Sequence, residues 1–443
     1  MEKNKNQMML HSLALASQLL PALIGILSFM AMVRVTQPGV MGQYLIYTAA
    51  VMLFEMIKAG GLQSALVMRV STNDKEQQKK ITGSAYWLAT VASLSISLVL
   101  ILLFFSGVFA KQPGIQVFCG WYACLGLINV PLNIAEASAV ARQDLKFLLY
   151  LRLAQTLGGW AIVVYAYFFV GSLESFATVN LLFTATLMLV VLLSGKTNPL
   201  QIKFKSMQEV KSLIQLIKYT MAAQATTNLL KTADTFIIGS MMGPTAVAMY
   251  AIPLRMAELF EIPLRSLSTT AFPQLAKKHN QSDHVGFKDT FVQYLSWGYM
   301  LYIPALLCAF IFAPSIILIF GGHKYADSTS IFRIFILLGL FLPANRIIGI
   351  SLDALQKPGK NLIKIIVMAA INIIGDVIAI KFSNNLNWVA FVSVLNAASG
   401  AILGWWILKG TGLLTKGNIF KEVYSHGNSF IKLRLSRLNK VQV

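Results

Sequence analysis

Two short stretches determine the architecture expected of this chain: residues 37–44 read QPGVMGQY, and residues 243–250 read GPTAVAMY. At an offset of 206 residues, a proline, a tyrosine and a later glutamate are repeated as Pro38 and Pro244, Tyr44 and Tyr250, and Glu55 and Glu261. Leucines match by chance between any two apolar segments, whereas a proline turn, a tyrosine and an embedded glutamate in one register do not. We therefore interpret the two stretches as equivalent parts of an internal duplication.

The composition indicates a membrane protein. Of the 443 residues, 56% are hydrophobic and 12% are charged, and the mean hydropathy is +0.66. Soluble domains are about 45–50% apolar and about 25% charged, so a water-soluble enzyme and a disordered chain are both excluded. The 37 Lys and Arg against 17 Asp and Glu give a net charge of +20. In a soluble protein this surplus would suggest nucleic acid, but the apolar content makes membrane topology its explanation, and no nucleic-acid partner is expected.

The chain contains twelve segments of about 20 mostly apolar residues, the length that a bilayer-spanning helix needs. If the N-terminus is cytoplasmic, 25 Lys and Arg fall in inner segments and 4 in outer segments. This distribution follows the positive-inside rule and predicts cytoplasmic N- and C-termini. The first apolar run is too long for a signal peptide and is interpreted as a retained span. The twelve centres lie near residues 22, 53, 95, 128, 159, 185, 228, 260, 305, 341, 371 and 398.

The repeat offset covers six spans, an even number, so both halves enter the membrane in the same orientation. Parallel repeats of this kind occur in transporters and are related by an axis along the membrane normal. The predicted fold is therefore an all-α polytopic membrane protein with twelve transmembrane helices in two parallel six-helix repeats around a central cavity. The predicted lobes are residues 1–200 and 201–410, and residues 411–443 form a basic cytoplasmic tail.

Charged residues embedded in the spans indicate where the cavity lies, because an ionisable group in the bilayer is costly and faces a cavity or a partner. The alternative is that neighbours three or four positions apart only neutralise one another, and that Arg152 extends to the interface. The four charges of span 8 are expected to share one helical face. The predicted substrate-binding bases are Lys58, Lys231, Arg255, Arg265, Arg346, Arg34 and Arg152, and the predicted cavity acids are Glu55, Asp234, Glu258, Glu261 and Asp376.

A basic cavity favours an anionic substrate, and a diphosphate with a sugar attached would suit it because arginine binds phosphate oxygens with two parallel hydrogen bonds. Asp376 lies four residues after Asn372 on the same face of span 11. It is a candidate site for a coupling H⁺ or Na⁺, and no other cofactor or metal is expected. The three cysteines lie in apolar stretches without metal-ligand spacing.

The chain resembles polysaccharide-export flippases of the MATE-like (MOP) superfamily, in particular the O-antigen (Wzx-type) polysaccharide biosynthesis branch. The resemblance rests on TADTFIIG at residues 232–239, AFPQL at residues 271–275, and Gly359-Lys360 followed by Asn372. Two positions depart from the family pattern: Ala248-Met249 stands where glycine often precedes the tyrosine, and Asp376 stands where asparagine is common.

The resemblance implies two six-helix lobes around a cavity that opens alternately to each side of the bacterial cytoplasmic (inner) membrane. The implied substrate is an undecaprenyl-diphosphate-linked oligosaccharide, moved from the cytoplasmic to the periplasmic leaflet, with Asp234 and the span 8 charges lining its path. Besides this lipid-linked substrate and membrane lipids, the implied partners are a polysaccharide polymerase and a chain-length regulator.

Three alternatives remain open. A multidrug or cation antiporter of the same superfamily would favour acidic or aromatic surroundings, whereas these spans are basic. Flippases of peptidoglycan lipid precursors resemble fourteen-span proteins, and residues 411–443 contain no further apolar span. An integral-membrane glycosyltransferase or polymerase would need a large loop or a catalytic histidine or carboxylate cluster. All five histidines lie in loops or at span ends, and HExxH, GxSxG and Walker motifs are lacking, so we do not expect an enzyme.

Overall fold

The computed structural model describes residues 2–70, 75–169, 171–412 and 425. Over these residues the chain is helical, with two short 3₁₀ segments at Pro199–Phe204 and His323–Ser328. The predicted all-α fold is confirmed. The α-helices are α1 Glu2–Val35, α2 Pro38–Val70, α3 Lys75–Ser106, α4 Pro113–Ala141, α5 Leu145–Phe168, α6 Leu173–Leu193, α7 Met207–Met241, α8 Pro244–Glu258, α9 Glu261–Asn280, α10 His284–Ile311, α11 Ala313–Gly321, α12 Thr329–Leu338, α13 Leu342–Ala354, α14 Pro358–Ser383 and α15 Leu386–Lys409.

Each of the twelve predicted spans corresponds to one helix or to a broken pair of helices in the described part of the chain. Within the described residues, nine helices are individually long and apolar enough to cross a membrane, and His323–Leu338 with Leu342–Ala354 forms a tenth candidate bent by 40°. The other two predicted spans correspond to α7 and to the pair α8 and α9. These helices carry several of the embedded charges, which explains their lower hydropathy.

Both broken pairs have a proline as the physical cause of the break. Proline lacks an N–H, and its ring clashes with the carbonyl four residues earlier. Pro263 therefore interrupts the helix at Leu259, between α8 and α9, and Pro343 interrupts it at Gly339, between α12 and α13. In both places the chain continues through turns with i→i+3 hydrogen bonds. The four charges of span 8 are consequently divided between two helices instead of sharing one continuous helical face.

The helices pack into two compact units, residues 1–248 and 249–443. The first contains α1 to α7, and α7 packs extensively on α2. The sequence assigns α7 to the second repeat, so its packing partner lies in the other repeat. The lobe boundary near residue 200 that the repeat predicts stays a prediction, and the tail at residues 411–443 lies almost entirely outside the described residues.

The two repeated proline turns begin equivalent helices. Pro38 is the first residue of α2 and Pro244 is the first residue of α8, the position where the missing N–H and fixed φ of proline are favourable. Within the first unit the two turns lie against each other. Their contact is so close that a Cβ at Gly42 would overlap the carbonyl oxygen of Pro244. Only glycine permits this close approach of one repeated turn to the other.

Candidate functional site

The repeated glutamate of the first unit lies in a saturated ionic cluster, that is, a cluster in which each charged group has hydrogen-bond partners. Glu55 Oε1 is 2.8 Å from the Lys58 ammonium and accepts a 2.7 Å hydrogen bond from the Tyr122 hydroxyl. Glu55 Oε2 accepts a 2.9 Å bond from Asn133 Nδ2. Lys58 also donates to the backbone oxygen of Gly126 at 2.8 Å, and its Nζ lies 5.6 Å from the centroid of the Tyr122 ring.

This cluster has the properties of a structural ion pair. Lys58 is only 9% exposed, and a buried charge is tolerated only when its partner and further hydrogen bonds compensate for its lost hydration. Here both carboxylate oxygens and the ammonium have partners on two helices, α2 and α4. The structure thus pairs Glu55 with Lys58 as the local-pair alternative expected, and the pair joins α2 to α4.

The repeated glutamate of the second unit lies at the wall of an open polar cavity. The cavity has a volume of about 360 Å³ and is formed by α9, α13 and α14. Ligand pockets typically measure about 300–1,000 Å³. Three bases, two acids and two amides line it beside apolar side chains: Arg265, Arg346, Lys364, Glu261, Asp353, Asn345 and Asn361.

The three bases of this cavity are held differently. Arg265 is 3.7 Å from Glu261, and its side chain is 67% exposed. Arg346 Nε donates to Ser268 Oγ at 2.7 Å, its one side-chain hydrogen bond to the described residues, which leaves the terminal guanidinium N–H groups for a ligand. Lys364 is 4% exposed and donates to the backbone oxygen of Asn345 at 3.3 Å.

The acids and amides of the cavity add hydrogen-bond acceptors to the donors of the three bases. Asn361 Nδ2 donates to Asp353 Oδ1 at 3.2 Å. Carboxylates accept hydrogen bonds from hydroxyl groups, amides both donate and accept, and arginine donates to phosphate oxygens. Both α9 and α13 begin at the proline-induced breaks, and discontinuous helices characteristically line transporter binding sites. The cavity can therefore bind a ligand that carries both phosphate and sugar hydroxyl groups.

A buried acid lies outside this cavity in the same unit. Asp376 on α14 is 0% exposed, and Asn372 Nδ2, one turn earlier, donates to its Oδ2 at 3.3 Å. Asn396 on α15 donates to Asn372 Oδ1 at 3.1 Å. The coupling-ion role that the sequence suggests for Asp376 stays a prediction.

Six predicted site residues remain, and three of them, Arg152, Arg255 and Glu258, form ion pairs of their own. Arg152 binds Glu136 Oε1 through Nε at 2.9 Å and Nη2 at 2.8 Å, joining α5 to α4. Arg255 Nη1 binds Glu258 Oε2 at 3.0 Å, and both side chains are about half exposed. Of the other three, Arg34 is exposed in the last turn of α1, Asp234 is buried in α7, and the side chain of Lys231 lies outside the described residues.

Sequence reasoning missed several residues of these clusters. Lys364 is one of the 25 bases that the sequence assigns to inner segments, although Pro358 is a helix-start signal and places it in the second turn of α14. Asn345, Asn361, Tyr122 and Asn133 are neutral, and neutral polar residues in apolar spans give no signal of their own. Only packing shows which of them meet a charge.

Comparison of the sequence with known families and proteins gives two matches. A profile of the family described as polysaccharide biosynthesis protein matches residues 31–330. A protein of Haloferax volcanii, described as the probable low-salt glycan biosynthesis flippase Agl15, is 22% identical over 202 residues. That match covers 46% of this chain and 43% of the relative's length.

The fold is similar to those of solved transporters. An inward-facing multidrug resistance MATE family transporter of the MOP superfamily superposes with a TM-score of 0.72 at 15% identity, covering 90% of this chain and 96% of that one. The lipid II flippase MurJ in an inward closed conformation gives 0.70 at 15% identity, covering 96% and 92%. At this identity the similarity concerns the fold, and it confirms the predicted MATE-like fold of a multi-pass membrane protein.

Proposed function

The chain belongs to the polysaccharide biosynthesis protein family, and from this premise we propose that it is a flippase for a lipid-linked oligosaccharide. The substrate would be an undecaprenyl-diphosphate-linked oligosaccharide, such as an O-antigen repeat unit, moved from the cytoplasmic to the periplasmic leaflet by alternating access. The similarity of this chain to the Haloferax volcanii protein described as a probable low-salt glycan biosynthesis flippase supports this proposal.

One observation carries the proposal: the cavity of the second unit combines Arg265, Arg346 and Lys364 with acids and amides. A diphosphate would bind the two guanidinium groups through charge-assisted hydrogen bonds, which contribute about 1.5–3 kcal/mol each. The sugar hydroxyls would bind Asp353 and Asn361. Because α9 and α13 both begin at breaks, small rearrangements of these half-helices would change the cavity without unfolding a full span.

Topology and partners follow from the same proposal. The chain would lie in the bacterial inner membrane with both termini in the cytoplasm, which the asymmetry of 25 inner against 4 outer bases supports. A polysaccharide polymerase and a chain-length regulator would act next on the delivered substrate. Both are proposed partners.

The test of the proposal is substitution of the two cavity arginines. We expect Arg265→Gln and Arg346→Gln each to lower the flipping rate about tenfold or more, since each removes a charge-assisted contact, while the level of protein in the membrane stays unchanged. The measurement is surface-polysaccharide export in cells that lack the chromosomal copy. Lys146→Gln, an exposed base at the start of α5, is the matched control. Normal export by both arginine variants would contradict the proposal, and altered drug susceptibility alone would favour the antiporter alternative.

We also propose that Asp376 couples flipping to H⁺ or Na⁺. Acids buried at membrane depth mark ion pathways in transporters, and this carboxylate is fully buried beside two asparagines. In vesicles, an imposed Na⁺ or pH gradient should accelerate the wild-type protein but not Asp376→Asn. Asp289→Asn, an exposed acid on α10, should respond as the wild type does. A gradient response that persists in Asp376→Asn would remove Asp376 from the coupling step.

A further inference from the structure

A second cavity, in the first unit, differs in character from the one proposed for the substrate. It has a volume of about 320 Å³ and lies between α2, α3 and α7. Among the described residues that line it, all but Lys58 and Lys218 are apolar. Ile214 at its edge is 45% exposed, so the cavity opens to the surface of the unit. Apolar cavities do not hold ordered water, and within a bilayer the apolar material available to fill one is a lipid chain.

The position of the cavity along α3 matches one leaflet. Lys205 Nζ lies 4.8 Å from the centroid of the Trp87 ring, and tryptophan and lysine together are typical of the membrane interface. The lining residues of α3 begin one position later, at Leu88, and continue to Ile96. At about 1.5 Å per residue this is about 12 Å, close to the half-thickness of about 15 Å of a bilayer core. On the predicted topology this is the cytoplasmic half.

One of the two lysines is placed to bind a headgroup. Ile217 belongs to the same apolar cluster as Leu62 and Ala89, and the next residue, Lys218, lines the cavity and is exposed. Lys58 is only 9% exposed, with its ammonium held by Glu55 and the Gly126 carbonyl, and it contributes mainly its aliphatic stem. Lys218 is exposed, so a phosphate at the mouth of the cavity would meet Lys218.

We propose that this cavity holds one acyl chain of an anionic phospholipid of the cytoplasmic leaflet, with the lipid phosphate beside Lys218. The charge at the mouth complements a phosphate, and basic pockets between helices on the cytoplasmic side bind anionic headgroups. The depth suits one acyl chain of a single leaflet and is too short for an undecaprenyl chain. The bound lipid fills the gap between α3 and α7, and it is distinct from the proposed substrate.

The experiment uses the full chain, reconstituted in vesicles of equal phosphatidylglycerol and phosphatidylcholine and then examined by native mass spectrometry. The wild type should retain one phosphatidylglycerol in preference to phosphatidylcholine. Ala92→Trp, which fills the cavity, should lose the retained lipid. Lys218→Gln should lower the preference for phosphatidylglycerol about fivefold, the effect of about 1 kcal/mol per base at an anionic surface, and Lys218→Arg should restore it.

Matched controls separate these effects from misfolding. Leu94→Trp adds the same ring to the same helix at an exposed position, and Lys146→Gln removes a cytoplasmic base away from the cavity; both should retain phosphatidylglycerol as the wild type does. Full retention by Ala92→Trp, or an unchanged headgroup preference in Lys218→Gln, would overturn the proposal. Displacement of the bound lipid by polyprenyl phosphate would also overturn it, because the cavity would then serve the flipped substrate.

Discussion

Glu55 and Glu261 occupy equivalent positions in the two repeats, and the structure gives them opposite surroundings. Glu55 accepts hydrogen bonds from three side chains on two helices, and its partner Lys58 is buried. Glu261 lies in the first turn of α9, at the wall of a 360 Å³ cavity, 3.7 Å from a largely exposed Arg265. The repeated carboxylate is part of the framework in the first unit and part of a ligand-accessible wall in the second.

The difference shows what an embedded charge can mean. Removing one member of a buried, saturated pair leaves the other charge uncompensated, whereas an exposed pair contributes little to stability. Substitutions in the Glu55–Lys58 cluster should therefore affect folding, and substitutions in the cavity beside Glu261 should affect transport. Substitutions at equivalent positions of the two repeats can separate these two roles.

The largest expected effect is on folding in the first unit. Glu55→Ala should lower the free energy of unfolding by about 3–5 kcal/mol, because it leaves the Lys58 ammonium buried without its carboxylate. Glu261→Ala should change it by less than about 1 kcal/mol. Thermal denaturation of the purified proteins in detergent measures both. Equal destabilisation by the two variants would show that the repeated glutamates have the same structural role.

The next effect concerns two buried lysines, one in each unit. Lys364→Met should reduce flipping about tenfold or more by removing a cavity base, with a melting temperature equal to or above that of the wild type, since the neighbouring carboxylate of Asp353 is exposed and keeps its hydrogen bond from Asn361. Lys58→Met should lower the melting temperature because Glu55 loses its counter-charge. Reconstituted flipping and thermal denaturation are measured side by side. Normal flipping by Lys364→Met would exclude Lys364 from the binding site.

The smallest effect concerns two aspartates, Asp144 and Asp283, that cap the N-termini of α5 and α10. A hydrogen bond from the Lys196 ammonium, at 2.8 Å, is the main cause that holds the pKa of Asp144 below its ordinary value of 3.8. Lys278, at 2.6 Å, likewise lowers the pKa of Asp283. Each carboxylate also accepts a backbone N–H from the first turn of its helix, at Phe147 and Gly286.

Because both pKa values are lowered in the folded state, the stability that these groups contribute is present above the ordinary aspartate pKa and is lost as the pH falls through the lowered value. We expect no contribution to pH dependence between pH 5 and pH 8 in either unit. Asp144→Ala should lower the free energy of unfolding at pH 7 by about 1 kcal/mol or less, since the cap and its Lys196 partner are both partly exposed to solvent. Melting curves at pH 7 and pH 3 provide the measurement. A larger loss on going from pH 8 to pH 5 would contradict this assignment.

Much of the fold could be predicted from the sequence, because hydropathy and charge asymmetry are local properties. The twelve apolar segments, the proline turns that begin α2 and α8, and the pairing of Glu55 with Lys58 all follow from residues close together in the chain. The helix breaks could not be predicted in the same way. Pro263 and Pro343 interrupt their helices, whereas prolines lie inside other helices of the described chain without ending them, at Pro21, Pro131, Pro253, Pro273 and Pro304.

The sequence by itself determined that the chain is a helical membrane protein, that it carries a repeat, and that charge is embedded in its spans. Only the tertiary structure decided which charges are saturated and which remain accessible. Tyr122 and Asn133 reach Glu55 across 67 and 78 positions of sequence, and Arg346 and Lys364 meet Arg265 at one cavity through the packing of three helices. Helical periodicity cannot predict such partners, because the hydration and the counter-charge of a residue depend on which helices meet in space.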